Sequence, residues 1–196
     1  MNRFLAIVIF SALWVCGSPA LYAELGQGTY KIDRSHSKVG FEIGHMVFSS
    51  VEGRFQDFSG TVTVGKKGPK VMIKVRTASI NTDEMKRDKH LRSPDFFNVK
   101  KFPEMRFTSH KVTGNLNGKF KIHGTLDLHG VSRPLVLNAT YLGEGKDPWG
   151  NMRFGFKATG NLNRKDYGLK WNKLTEIGPL VGNDLELSIK VELVKQ

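Results

Sequence analysis

Hydrophobic and polar positions alternate with a period of two over most of this chain. Across residues 38–48 the alternation sets Val39, Phe41, Ile43 and His45 on one face and Lys38, Glu42 and Met46 on the other, because a strand turns successive side chains to opposite sides. The first of these faces is apolar and ends in a histidine. After Ser49 and Ser50, a partner segment carries Phe55 and Phe58 about a break at Gly53, which reads as a strand, a turn and a kinked strand. The same period recurs at Val71, Ile73 and Val75, at Phe120, Ile122, Gly124, Leu126 and Leu128, and at Met152, Phe154, Phe156 and Ala158. It returns at Leu185, Leu187, Ile189, Val191 and Leu193. With shorter stretches at 30–32, 61–64, 105–109 and 135–142, the pattern predicts about eight or more strands, divided by turns at 65–69, 115–118 and 146–150. The strands are expected to be antiparallel, since parallel neighbours need crossover helices that the chain does not supply.

Two connections have helical character. Residues 82–92, TDEMKRDKHLR, open on Thr82 as an N-cap, carry acids in the first turn and bases in the last, and stop before Pro94. Residues 161–171 have room for one turn before Gly168. Both are expected at the rim of a sheet structure. An antiparallel sheet of this size must cover its apolar face, either with a second sheet or by closing on itself. Pattern alone leaves both solutions open, although Gly40, Gly44, Gly124 and Gly155 inside strands favour curvature and closure.

Composition changes the picture at the N-terminus. Residues 1–23 hold one charge, Arg3, then the apolar run FLAIVIFSALWV and the small-residue stretch GSPALYA, the three regions of a secretory signal peptide. Cleavage is expected after Ala23, with Ala20 as the other candidate, and residues 24–196 are expected to form one domain. The apolar run is shorter than the ~20 residues a membrane span needs. Cys16 is the only cysteine and falls in this leader, so the 173 residues that follow position 23 offer no disulfide, thiolate ligand or cysteine nucleophile. Export without cysteine points to a bacterial periplasm. The net charge of +12 falls to +11 once Arg3 is removed. An exported protein meets little nucleic acid, so that excess is expected to serve transient contact with an anionic membrane surface, an anionic ligand head group, or solubility alone.

Candidate chemistry is sparse. The six histidines show no i, i+4 ligand pair and no HExxH, so no metal site and no cofactor are expected. His36, His90, His110, His123 and His129 fall near strand ends, on wet faces or in connections. His45 alone lies on a dry face, where a structural partner or a polar group of a ligand would satisfy its ring. No GxSxG elbow occurs, and Asp83, Glu84 and Asp88 sit among Lys86, Arg87 and Lys89 as on a solvated helix face. No catalytic residue is assigned. Thirteen phenylalanines, several beside glycines, suit a pocket for a flexible apolar molecule as well as they suit an ordinary β core. Phe96, Phe97 and Phe102 flank Lys100 and Lys101, an arrangement that would grip an amphipath or cap the edge of a core.

The ordered phrases YKID with His36 and Ser37, FEIGHM, VEGRFQDFSG, DKHLRSPDFFNVKKFPEMRFTS, HGTLDLHGVSRPLVLNATY, NRKDYGLKWNK and VGNDLELSIKVEL span nearly all of residues 24–196. In them the chain resembles the YceI-like polyisoprenoid-binding family. The resemblance implies an all-β fold, an extended lipocalin-like antiparallel β-barrel with one or two short helices in its connections. It also implies an exported protein whose pore holds a long-chain isoprenoid or fatty lipid, and it brings no catalytic residue. On that basis the apolar lining is expected from Phe41, Ile43, His45, Phe55, Phe97, Phe120, Ile122, Phe154, Phe156, Leu187 and Ile189. The head group is expected at the rim near Lys100, Lys101, Arg164 or Lys170. Two rival readings are a lipid hydrolase or isomerase with His45 as base, and a basic protein that binds the envelope surface.

Overall fold

In a computed structural model, residues 25–196 are described, and the leader expected at 1–23 lies outside them. The period-two segments form antiparallel strands: β1 (Gly28–Ile32), β2 (Lys38–His45), β3 (Ser49–Phe55), β4 (Phe58–Gly65), β5 (Gly68–Arg76) and the two-residue β6 (Ile80–Asn81). After one helix, α1 (Met85–Arg92), come β7 (Glu104–Gly114), β8 (Lys119–Leu128), β9 (Val131–Lys146) and β10 (Met152–Asn163). A small hairpin of β11 (Leu174–Thr175) and β12 (Gly178–Pro179) precedes the long last strand β13 (Val181–Lys195).

Strand pairing closes the sheet. β1 and β2 lie end to end along the same edge of β13, with Tyr30 opposite Lys195 and Val39 opposite Ile189, so they act as one barrel strand broken by a 3-10 turn at Arg34–His36. β3 and β4 pair with β2 and β1 in the same way, and β5 continues into β6. Counted so, the architecture is a closed eight-stranded up-and-down barrel, each strand pairing with its sequence neighbours and the last with the first. Closure is what removes free sheet edges. The break between β1 and β2 is spliced into β13 at one residue. The Asp33 amide donates to the Glu192 carbonyl at 2.8 Å, and the Glu192 amide donates to Ser37 Oγ at 2.9 Å, so no ladder group is left unpaired there.

Inward-facing side chains pack unevenly along the axis. At the end holding the β4–β5, β7–β8 and β9–β10 turns, Tyr30, Phe120, Ile122, Phe154, Phe156 and Leu193 are all buried. Tyr30 meets Phe154 edge-on at 5.5 Å, and Phe156 packs against Phe120 at 6.0 Å and Tyr141 at 5.4 Å. These rings plug the barrel. At the opposite end, β5 stops at Arg76 and β7 starts at Glu104, and the intervening residues cover the side of the opening. Thr77 ties the two ends of that segment together, its amide to the Pro103 carbonyl at 3.0 Å and its hydroxyl to the Phe102 carbonyl at 2.7 Å.

Two local expectations are corrected, and a third, one turn before Gly168, is met. The strand expected over 38–48 ends at His45, because Met46 adopts φ 55° and turns the chain, leaving Phe48 76% exposed. The helix expected from Thr82 begins three residues later. Glu84 is its N-cap, its carboxylate accepting from the Lys86 and Arg87 amides, while Thr82 donates its amide and hydroxyl to the buried Asp88 carboxylate at 2.9 and 2.6 Å. The second helical stretch is a single 3-10 turn at Arg164–Tyr167, ended by Gly168 in the left-handed conformation.

Candidate ligand cavity

Between the aromatic plug and the open end lies a cavity of about 450 Å³. β2 supplies Val39, Phe41, Ile43 and His45, and β13 supplies Val181, Leu185, Leu187 and Ile189. Leu126, Leu128, Leu135, Leu137 and Phe107 complete one wall from β7, β8 and β9, while Phe55, Phe97, Ile73 and Met105 form the opposite side. Alternation explains the apolar wall: each barrel strand turns one side chain in two toward the axis.

Glycine makes room for two of the rings. A β-carbon on Gly53 would stand 2.3 Å from Phe41 Cζ, and one on Gly124 would stand 2.5 Å from Phe107 Cζ, so each ring lies flat over a neighbouring strand. Phe41 then reaches Phe55 at 5.9 Å, which in turn meets Phe97 edge-on at 5.8 Å.

The open end is polar and tightly braced. Thr82, Glu84, Lys86, Arg87, His90 and Leu91 border the cavity there, together with Phe96 and Trp171. Arg87 donates from Nε to Thr82 Oγ1 at 2.8 Å and from Nη2 to the Thr82 carbonyl at 2.7 Å, bonds that leave Nη1 out. Arg92 holds the Ala78 and Ile80 carbonyls at 2.8 and 2.6 Å, and Arg54 forms a two-pronged pair with Asp83 at 3.1 and 2.9 Å. Bonds from the Arg87 and Lys86 amides lower the pKa of Glu84, so this carboxylate stays ionised as the cap of α1. Across the opening, the Trp171 ring packs on His90 at 4.8 Å and on Phe96 at 5.1 Å.

The expected residues divide into groups. Phe41, Ile43, His45, Phe55, Phe97, Leu187 and Ile189 line the cavity. Phe120, Ile122, Phe154 and Phe156 point inward but belong to the plug beneath it, where cross-barrel aromatic packing leaves no space. Lys100, Lys101 and Lys170 are exposed and outside the lining, and Lys101 Nζ sits 5.2 Å from the centre of the Phe102 ring. Arg164 touches the cavity but is not a rim cation. It is 2% exposed, and its guanidinium donates to the carbonyls of Gly182 and Leu169 at 2.6 Å, Trp171 at 2.8 Å and Val181 at 3.4 Å. Burial lowers its pKa, and its donors are spent folding residues 164–182 over the barrel end.

The cations at the rim of the cavity, Lys86 and Arg87, stand in the segment that read as a solvated face, as does His90. Their signal was the placement of that helix at the rim of a barrel, which brings any charge it carries beside the opening.

His45 is not arranged as a base toward a serine. Ser49 Oγ donates its one proton to the His45 carbonyl at 2.7 Å and lies 3.3 Å from Nδ1, so toward the ring it can only accept. Elsewhere, Asp33, His36 and Glu192 hold donor atoms within 4.8 Å of one another, but Arg153 donates to both carboxylates and already balances their charge.

Comparison with known proteins follows the same outline. The sequence model of the YceI-like domain matches residues 30–193. Protein YceI of Salmonella newport is 42% identical over 200 residues, covering 100% of this chain and 98% of its own length. UPF0312 protein plu2095 of Photorhabdus laumondii is 40% identical over 190 residues, covering 94% of this chain and 93% of its own. Among solved structures, Campylobacter jejuni YceI protein superposes with a TM-score of 0.65 at 33% identity, over 84% of this chain and 96% of that one. Burkholderia cenocepacia BcnA, 17% identical, shares the fold with a TM-score of 0.71 over 82% of this chain and 98% of its own. A matching domain model over residues 30–193 and relatives about 40% identical over 93% and 98% of their own length lead to one conclusion: the chain belongs to the YceI-like family.

Proposed function

We propose that this protein binds one long-chain amphipathic lipid, a polyisoprenoid such as a polyprenyl phosphate or an isoprenoid quinone, and shelters or carries it in the periplasm after export. The observation that carries the reading is the 450 Å³ apolar cavity, plugged by aromatic rings at one end and bordered by Lys86, Arg87 and His90 at the other. Each methylene moved from water into such a wall contributes ~0.8 kcal/mol, so ten supply about 8 kcal/mol, the scale of a micromolar complex before ordering costs. The tail lies among Phe41, Ile43, Leu187 and Leu126. The head stays at the opening, where cations remain hydrated and no bare charge is buried. A polyisoprenoid binding domain from Saccharophagus degradans shares the fold, with a TM-score of 0.65 at 16% identity, and what it binds supports the class of ligand. Binding without turnover is part of the proposal.

The test is uptake of a polyprenyl phosphate and of a quinone of equal chain length by wild type and Lys86→Ala. Lys86 is exposed, so its loss leaves the core alone. The phosphate is expected to bind about tenfold more weakly in the variant, ~1.4 kcal/mol, and to lose salt dependence, with the quinone unchanged. Failure of wild type to take up either lipid contradicts the proposal.

A further inference from the structure

The turn joining β2 to β3 and the β11–β12 hairpin stand side by side at the open end. The Met46 amide donates to the Leu180 carbonyl at 2.9 Å, and a β-carbon on Gly178 would lie 3.4 Å from Val47 Cγ2. Their tips are apolar and wet: Val47 is 71% exposed, Phe48 76%, Leu174 82% and Ile177 50%. A hydrophobic core should have claimed such residues, and exposed apolar groups gathered in one place mark an interaction surface. His45 and Leu180, directly behind the tips, line the cavity. Met85, 87% exposed, sits on α1 between Glu84 and Lys86, which border the same cavity. Lys165, Lys170, Lys173 and Lys89 are exposed around these elements, with Asp166, Glu176 and Asp83 interspersed.

We propose that this end of the barrel docks on an anionic phospholipid bilayer, with Val47, Phe48, Leu174 and Ile177 entering the headgroup layer. The inference rests on the lipid-binding reading and adds the surface from which the ligand is collected or to which it is delivered. A ligand with a long apolar tail then passes between bilayer and cavity without crossing water. Charge selects the occupant. The chain carries a net charge of +12, or +11 without the leader's Arg3, which draws it to an anionic surface and sets two copies against each other. Phenylalanine and aliphatic tips beside lysines are the composition of an interfacial anchor.

Protein purified from cells expressing the full chain would be sedimented with vesicles of phosphatidylcholine alone or mixed equally with phosphatidylglycerol. Wild type would be compared with Phe48→Ser/Leu174→Ser and with Lys170→Glu/Lys173→Glu. Wild type is expected to prefer the anionic vesicles, and each double variant to lose at least tenfold in apparent affinity. Their melting temperatures and their uptake of a prenyl lipid from detergent micelles are expected to stay unchanged, because all four side chains are exposed. Wild-type affinity in both variants overturns the docking surface. So does a dimer in sedimentation analysis that the apolar double variant disrupts, since a second copy would then cover the tips. Vesicle binding lost in the variants, in a protein that takes up no prenyl lipid, upholds the docking surface and refutes the lipid-carrier reading alone.

Discussion

Two residues show where a sequence reading stops. Gly53 reads as a break in a strand, and its position does more: the Phe41 ring occupies the space above it, inside the cavity wall. Adding a methyl in Gly53→Ala puts a carbon 2.3 Å from that ring and drives Phe41 toward the ligand space. The expected cost is about 1–3 kcal/mol, as for other overpacked interiors, together with weaker lipid uptake. Thermal melting and a binding titration measure the two. Arg164 reads as a rim cation because arginine in a connection is usually wet, and nothing in the sequence marks the four carbonyls that turn toward it. Arg164→Ala would strand those carbonyls, so destabilisation of about 3 kcal/mol is expected in denaturant titration. Phosphate and quinone ligands are expected to be lost alike. Selective loss of the phosphate would return Arg164 to the head group.

Among the elements, strands were legible and their ends were not. The period-two pattern locates every long strand because one barrel face is dry and the other wet, a contrast that each side chain records. Where the chain leaves the sheet the contrast vanishes, and backbone geometry decides: Met46 and Asp83, at φ 55° and 59°, end β2 and delay α1. Four of the eleven expected lining residues, Phe120, Ile122, Phe154 and Phe156, lie off the cavity along the axis for a related reason. Phe41 and Phe156 carry the same inward signal, yet one borders space and the other a plug, because alternation reports direction and not depth. Likewise α1 reads as a solvated helix, and its outer face is one. Its role at the opening comes from long-range ties, Arg92 to Ala78 and Ile80 and Arg54 to Asp83, that no local pattern encodes.

On the scale of the whole molecule, the seam between first and last strands is held by charge as well as by the ladder. Arg153 on β10 reaches Asp33 at 2.6 Å and Asp147 at 2.8 Å, and it also holds Glu192 on β13. Hydrogen bonds from Ser35, Arg153 and His36 depress the Asp33 carboxyl well below the usual carboxylate range. For Asp147, burial acts to raise the pKa, but bonds from Asn151 and Arg153 outweigh it and bring the group down to about 2. Groups depressed on folding add stability that is complete above their unfolded value, about 4, and is lost as pH falls through the folded value. Acid unfolding is therefore expected to steepen below about pH 4. Arg153→Met, which removes the shared donor, is expected to move the acid midpoint upward in a circular dichroism titration. An unmoved midpoint would mean that the network contributes nothing to closure.

That closed wall exists, on this account, to keep an apolar tail out of water. The most direct test is mass spectrometry of the protein as purified from cells, first intact under native conditions and then as an organic extract. The expected result is a chain cleaved after Ala23 that carries one long-chain isoprenoid or similar lipid per barrel, released on extraction. A barrel that emerges empty, and stays empty after incubation with prenyl lipids, would contradict it.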